Sequence, residues 1–324
     1  MRYRLHSGAG IGLTLCLHRV LPNSLRSSIP QIRDLEITPK HLDALVRGVR
    51  KLGYEVIPLD ELLPRLASPG SGKPPAVITF DDGYLDNLEF ALPVLEKLNA
   101  PFTIFATTGF IEGTTDAWWL ELTKLVSLES AHRDIGDQYT KLYREACEAP
   151  EGPSSFARHR VAESKQTKDA PSARTFLDWS TLEILARSPL VTIGAHTVTH
   201  PRLSSLSHEE VERELIESAN SLEHRLGIAV SHLAYPHGGP SDLPASIAPI
   251  ARDAGFRTAV TTEPRLTRQR DLSYPHLLPR LMISGLHEDY GMLEDQFLGL
   301  GPWKNPAVRA EIRAMKSKFF SQGS

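Results

Sequence analysis

Two adjacent carboxylates stand at the end of an apolar run. Asp81 and Asp82 follow residues 76–80, whose apolar side chains predict a buried β-strand, and Gly83 comes next. Like charges raise each other's pKa and burial adds to that effect, so such a pair is costly unless something uses it. A metal ion would resolve the conflict by binding one carboxylate and leaving the other as a base. The alternative is a solvated Asp-Asp-Gly turn.

Two histidines four positions apart form a second candidate group. His196 and His200 follow the apolar stretch 190–195, and two imidazoles at this spacing can reach one cation from a helix turn or a tight loop. The β-branched residues between them and Pro201 after them favour a loop that leaves a strand. Because the chain has 13 histidines, a chance pair is the alternative. One Asp and two His would make an open metal site with room for water.

The turn at 234–239 is a third candidate group, and it again follows a short apolar segment. Its proline and glycines fix an irregular backbone whose N–H groups can point into a cleft. Taken alone, the segment suits an ordinary turn equally well.

Together, and in this order, the three groups resemble the motifs of the polysaccharide deacetylase family, also called carbohydrate esterase family 4. Residues 79–83 match the first motif without departure, and residues 196–200 match the second. The third matches loosely, because His237 stands where an aromatic residue is usual. The resemblance implies an α/β fold, a distorted (β/α) barrel of about seven strands. It also implies removal of acetyl groups from the N-acetylated sugars of a glycan or glycoconjugate.

The resemblance gives each residue of the first two motifs a role. Asp82, His196 and His200 would hold a divalent ion, with zinc as the expected metal. Asp81 would take the proton of the attacking water as general base. Barrel enzymes place their sites at the C-terminal ends of strands, where both motifs are predicted to lie.

The third motif would face the substrate through Tyr235, Pro236 and His237. The backbone N–H of His237 would stabilise the oxyanion of the tetrahedral intermediate. Arg280, in a late predicted strand, could orient Asp81 by a charge-assisted hydrogen bond, and the alternative for it is a surface ion pair.

Residues 13–20 resemble a strand-then-histidine element that many family members carry at the end of the domain. Its position here resembles the circularly permuted branch, typified by enzymes that partly deacetylate poly-N-acetylglucosamine. His18 would then donate a proton to the leaving amine. The alternative is a capping histidine at the rim of the barrel.

The composition argues against several kinds of partner and site. A net charge of −3, from 36 basic and 39 acidic residues, gives no reason to expect nucleic acid or an anionic membrane surface. Cys16 and Cys147 form neither a zinc pattern nor a disulfide framework. No stretch approaches the roughly 20 apolar residues of a membrane span, and the N-terminal apolar segment lacks a signal-peptide cleavage site. We therefore expect a cytoplasmic protein, and its oligomeric state stays open.

The elements that must position these residues alternate between strands and helices, which favours parallel βα units. The 324 residues and 41% hydrophobic content predict one barrel domain over 1–324. The predicted strands lie at 11–17, 56–59, 76–80, 102–107, 191–195, 258–262 and 277–283. Predicted helices begin at Thr38 and after capping boxes at 180–183 and 207–210, and others cover 88–98 and 306–319.

The segment at about 110–175 breaks this alternation, and we interpret it as a helical insertion over the barrel mouth. Trp118 and Trp119 within it could stack on sugar rings. The alternative is a packing role, which is usual for large aromatic residues in such a segment.

Two other functions fit the same motifs. The barrel and metal could serve an O-acetyl esterase or an amidase that acts on a non-sugar amide. The chain could also be a carbohydrate-binding protein that has lost catalysis, although Asp81, Asp82, His196 and His200 are all intact. Metal-dependent acetate release from N-acetyl and O-acetyl substrates separates these alternatives.

Overall fold

A computed structural model describes residues 11–68, 72–129, 134–164 and 175–286 of the chain. The strands in these ranges are β1 (Leu13–Leu17), β2 (Arg19–Val20), β3 (Glu36–Ile37), β4 (Glu55–Val56), β5 (Pro75–Phe80), β6 (Phe102–Ala106), β7 (Val191–Ala195), β8 (His232–Ala234), β9 (Thr258–Val260) and β10 (Leu281–Met282). The helices are α1 (Pro30–Arg33), α2 (Pro39–Lys51), α3 (Leu59–Ala67), α4 (Leu92–Lys97), α5 (Thr108–Glu112), α6 (Trp118–Glu129), α7 (Ile135–Glu148), α8 (Pro153–Glu163), α9 (Trp179–Ala186), α10 (His208–Leu226) and α11 (Ile247–Asp253).

The main sheet is parallel and follows the order β10-β1-β5-β6-β7-β8-β9, with β4 added beside β5. All residues of β1, β5 and β6 are buried, as expected for strands that are covered on both faces. A parallel bridge joins Val260 of β9 to Leu278, just before β10. The sheet therefore curls back on itself, and the predicted distorted (β/α) barrel with about seven strands is confirmed.

Strand β1 lies between two other strands of this sheet. β1 pairs with β10 on one side and with β5 on the other, and Leu17 stands opposite Phe80. Since Leu17 and Phe80 are the last residues of their strands, His18 and Asp81 leave the sheet at the same level. The backbone N–H of Asp81 donates to the carbonyl of Leu17 over 3.0 Å, which fixes that level.

Two predicted helix starts are confirmed. Thr38 caps α2 by accepting the N–H of His41, and Pro39 takes the first helical position. Ser207 and Glu210 form the predicted capping box of α10.

Two predicted boundaries were wrong. The capping box of α9 uses Asp178 with Thr181, because the Asp178 carboxylate accepts the Thr181 N–H over 2.9 Å and Ser180 lies inside the helix. The strand predicted at 56–59 ends at Val56, since Pro58 precedes the first turn of α3. The helix predicted at 306–319 lies outside the described residues.

The predicted insertion contains α6, α7 and α8, which bury apolar side chains in a cluster separate from the core around the sheet. Ile32 of helix α1 and Ile29, the residue before that helix, belong to the same cluster. The residues that the insertion contributes to this cluster are Phe110, Trp118, Trp119, Leu122, Leu125, Val126, Tyr139, Leu142, Ala146 and Ala157. The insertion is thus a packed helical unit beside the barrel. None of the helices in the described part of the chain is long and apolar enough to span a membrane.

Candidate active site

His18 and the residues of the three motifs all leave the same end of the sheet. His18 follows β1, Asp81 and Asp82 follow β5, His196 follows β7, and the third motif follows β8. Because these strands are parallel neighbours, their carboxyl ends meet at one edge of the barrel. The sheet topology therefore brings together side chains that are far apart in the sequence.

Asp82, His196 and His200 converge on one point. The Oδ1 atom of Asp82 lies 3.3 Å from Nε2 of His196 and 3.3 Å from Nε2 of His200. The Nδ1 atom of His196 lies 2.8 Å from the carbonyl oxygen of Ala234. A carbonyl can only accept, so in the neutral ring that contact places the proton on Nδ1 and leaves a lone pair on Nε2.

These three side chains fit a divalent metal ion. Asp82 Oδ1 is buried without a hydrogen-bond partner in the described structure, and one ligand atom from each residue lies within 4.8 Å of the other two. Burial raises the pKa of Asp82, but contacts with both imidazoles outweigh it and hold that pKa well below its ordinary value. Burial lowers the pKa of His200, which favours the neutral ring that a metal requires. One carboxylate and two imidazoles leave a coordination position open to water or substrate.

The backbone at this point is strained. The non-glycine residues with a left-handed backbone in the described structure are Asp82 (φ 75°), Thr197 (φ 65°), His200 (φ 55°), His237 (φ 60°) and Asn99 (φ 45°). Four of these five lie in the three motifs. Such a conformation costs on the order of 1–3 kcal/mol per residue and persists where surrounding contacts enforce it. The strain is therefore concentrated where the side chains converge.

Asp81 differs from Asp82 in having a permanent counter-ion. Arg280 is fully buried, and its Nη1 and Nη2 atoms each donate to a different oxygen of Asp81 over 2.7 Å. Nη1 also lies 3.0 Å from Thr79 Oγ1, and the Cys16 thiol lies 3.6 Å from Asp81 Oδ2. Burial raises the pKa of Asp81, but the guanidinium outweighs it and the net pKa is lowered. The ion pair between Arg280 and Asp81 is therefore buried, and the surface ion pair that was the alternative for Arg280 is excluded.

His18 lies at the same edge, half-buried. One ligand-type atom of His18 falls within 4.8 Å of the corresponding atoms of Cys16 and Asp81. We do not interpret this second group as a cation site, because Arg280 already neutralises Asp81. The carbonyl of His18 accepts the Asn87 side-chain amide over 2.9 Å, which ties the strand end to the segment after the Asp pair.

The third motif divides into a buried part and an open part. Tyr235 is fully buried and its hydroxyl donates to the carbonyl of His276 over 2.9 Å. The Tyr235 ring packs in the core, which gives that side chain a structural role. Pro236 is buried as well. The His237 ring is half-buried and lies 5.0 Å from the His200 ring, and burial together with neighbouring histidines lowers its pKa to about 3.

Trp118 and Trp119 pack in the protein interior. Their exposures are 6% and 8%, so most of each side chain is buried. The Trp118 ring lies 4.7 Å from that of Tyr143, and the Trp119 ring lies 5.0 Å from that of His200. This burial favours the packing alternative over the predicted stacking role, and Trp119 lies beside His200 of the candidate metal group.

Several residues at the site were not predicted. Asp86 accepts the Val20 N–H and the Arg19 Nε–H, each over 2.8 Å, and so fixes the residues after His18. Glu214 accepts hydrogen bonds from the loop between His196 and His200. Asp86 lies close to the Asp pair in sequence, which is a weak signal. No sequence signal indicated Glu214, because an acidic residue on a long amphipathic helix is ordinarily solvated.

The chain is similar to known proteins in sequence and in fold. A family model described as polysaccharide deacetylase matches residues 69–259. YxkH of Bacillus subtilis (strain 168), which is named as a polysaccharide deacetylase, is 21% identical over 245 residues. That match covers 75% of this chain and 65% of YxkH, a little under two thirds of the relative's length.

Solved structures share the fold. The Streptococcus pyogenes deacetylase PplD, solved with acetate, aligns over 85% of this chain and 92% of its own at a TM-score of 0.56 and 17% identity. IcaB from Ammonifex degensii aligns over 85% of this chain and 92% of its own at a TM-score of 0.53 and 21% identity. At these identities the likeness concerns the fold.

Proposed function

Because this chain belongs to the polysaccharide deacetylase family, we propose that it is a metal-dependent hydrolase that removes acetyl groups from N-acetylated sugars of a glycan or glycoconjugate. One observation carries the proposal. Two adjacent carboxylates have opposite surroundings, since Asp81 is paired with Arg280 whereas Asp82 faces two imidazoles with an oxygen that has no hydrogen-bond partner in the described structure. That division suits one base and one metal ligand.

Asp82, His196 and His200 would hold the ion, and zinc suits a donor set of two imidazoles and one carboxylate. When bound, such an ion supplies Lewis-acid chemistry that activates water and polarises an acyl oxygen. The buried position of Asp82 and His196 keeps bulk water away from these ligands.

Asp81 would accept the proton of the attacking water. A carboxylate offers about four lone-pair sites. Arg280 uses one on each oxygen and the Cys16 thiol uses another on Oδ2, which leaves one site on Oδ1. The fixed guanidinium orients that remaining lone pair and keeps the carboxylate ionised.

Two further groups would act on the tetrahedral intermediate and the leaving group. The backbone N–H of His237 donates to no acceptor in the described part of the chain, and so is available to a developing oxyanion. His18 is held beside Asp81 by the strand register and would give a proton to the leaving nitrogen. An amide needs this proton more than an ester does, which favours N-acetyl over O-acetyl substrates.

The test is acetate release by the purified protein from three substrates: an N-acetylglucosamine oligomer, an O-acetylated sugar and a small non-sugar acetamide. We expect release from the first, its loss with a chelator and its return with Zn²⁺. Release from the O-acetylated sugar alone would indicate an esterase, and release from the small acetamide alone would indicate a non-sugar amidase. Metal binding without release from any substrate would indicate a binding protein.

A further inference from the structure

The loop between the two metal-binding histidines has an unusual backbone. Thr197 and His200 both adopt left-handed conformations, with φ of 65° and 55°. This conformation is unfavourable for residues other than glycine, and it persists only where surrounding contacts enforce it. The loop must nevertheless keep its shape, since it sets where His200 lies relative to His196 and Asp82.

One helix side chain binds the N–H groups of this loop. Glu214 of α10 accepts the Val198 N–H over 2.8 Å and the Thr199 N–H over 2.9 Å through Oε2. Its Oε1 accepts the Thr199 hydroxyl over 2.6 Å. A single carboxylate therefore binds three donors from the two central residues of the loop.

The carbonyl groups of the loop are bound from another direction. The N–H of Gly109 donates to the Val198 carbonyl over 2.9 Å, and the N–H of Thr108 donates to the Thr197 carbonyl over 3.3 Å. A Cβ atom on Gly109 would come within 2.5 Å of the Val198 oxygen, so glycine permits this close approach. Helix α5 thus supplies donors for two loop carbonyls, whereas Glu214 accepts the N–H groups of Val198 and Thr199.

We propose that Glu214 is a positioning residue, which holds the loop in its left-handed conformation and thereby sets the affinity of the site for its metal. This inference rests on the proposed function, because it requires that His196 and His200 bind the ion. The three hydrogen bonds pre-organise His200. Without them, metal binding must order the loop as well as form the coordination bonds.

The test compares four variants by their dissociation constant for Zn²⁺, measured by competition with a chromogenic chelator. Glu214→Ala removes all three acceptor contacts, and we expect affinity to fall about 10–100-fold, the usual range for groups that orient metal ligands. Glu214→Asp keeps the charge but is shorter, so it should lose nearly as much. Glu214→Gln should lose much less, because its amide oxygen can accept the two N–H groups while its NH₂ donates to the Thr199 hydroxyl.

Glu217→Ala is the matched control, since Glu217 is an exposed residue one turn further along α10. It should bind Zn²⁺ as the unaltered protein does. A Glu214→Ala protein that melts normally without metal and binds Zn²⁺ weakly supports the proposal. Unchanged affinity in Glu214→Ala and Glu214→Asp overturns it, as does an equal loss in Glu217→Ala.

The metal assignment itself is checked separately. His200→Ala should abolish Zn²⁺ binding in the same assay. If His200→Ala binds normally, the ligand set is wrong and the proposed function fails. If His200→Ala fails to bind while all Glu214 variants bind normally, only the role of Glu214 is rejected.

Discussion

Arg280 and Asp81 form a two-pronged ion pair, with each terminal nitrogen of the guanidinium 2.7 Å from a different carboxylate oxygen. Both side chains are buried, and they come from positions 199 residues apart. The pair balances the charge of Asp81 and leaves Asp82 as the carboxylate without a guanidinium. Two neighbouring residues of identical chemistry thus acquire different surroundings.

Removing this guanidinium should destabilise the fold. Arg280→Met leaves a buried carboxylate uncompensated, so we expect the free energy of unfolding to fall by about 3–5 kcal/mol. Urea unfolding measures this loss. Arg280→Lys keeps a positive charge but cannot bind both oxygens in a plane, so its loss should be smaller. A loss below about 1 kcal/mol for Arg280→Met would contradict the role assigned to the pair.

The two aspartates should separate in their effect on metal. Asp81→Asn should retain Zn²⁺ and lose most turnover, since it removes the expected base but none of the three converging ligands. Asp82→Asn should lose affinity for Zn²⁺, because two imidazoles alone hold the ion poorly. Equilibrium dialysis with metal analysis measures the Zn²⁺ affinity of both variants, and acetate release measures their turnover. The reverse pattern would exchange the two roles.

His18 should matter most where the leaving group is poor. His18→Ala should lower kcat on an N-acetylated sugar by about 10²–10⁴-fold, the usual scale for a general acid. The loss should be much smaller on an aryl acetate, because a phenolate leaves without a proton. Zn²⁺ content should not change. Equal losses on both substrates, or a loss of metal, would exclude the acid role.

Trp118 should act on stability and not on glycan length. The side chain is buried in the cluster of the insertion, so Trp118→Ala should lower the free energy of unfolding by about 3–5 kcal/mol. The ratio of kcat/KM between a long and a short N-acetylated oligomer should stay the same. A selective loss on the long oligomer would restore the stacking interpretation.

Asp271 should contribute to resistance against acid. Burial raises the pKa of Asp271, but hydrogen bonds from Arg265 and from the Arg268 N–H outweigh it and lower the net pKa. A carboxylate whose pKa is lower in the folded state stabilises fully above its unfolded value of about 3.9. That contribution is lost as pH falls through the folded pKa.

Urea unfolding of Asp271→Asn at several pH values tests this. The stability difference from the unaltered protein should be constant near neutrality and should shrink below about pH 4. Arg265→Met should show the same dependence, because it removes the partner that lowers the pKa. A difference that does not vary with pH would show that Asp271 acts by packing alone.

Much of the fold was predictable because parallel strands that are buried on both faces have continuous apolar sequences. The run before Asp81 is such a case, and all of its residues are buried in β5. Boundaries set by a single side chain were harder. Asp178 replaced the predicted cap of α9 because it reaches Thr181 and Ser180 does not.

The site was predicted as far as its residues lie in contiguous motifs. The three-residue metal group followed from spacing and resemblance together, and the structure places those side chains around one point. Contacts between side chains of different helices, strands or loops leave no local pattern in the sequence, so they could not be predicted from it. Glu214 meets the loop from 15 and 16 residues away, and nothing in the acidic sequence of α10 distinguishes it from its neighbours.

The place of β1 between β5 and β10 has a consequence for how the protein is made. Ribosomes add about 5–20 residues per second, so Arg280 emerges roughly 10–40 s after Asp81. During that interval β1 can pair with β5, but its other edge has no partner until β10 is synthesised. A nascent chain therefore carries every expected metal ligand before it carries the counter-ion of Asp81. The charge balance of that carboxylate is completed by the residue before β10, the last strand in the described part of the chain.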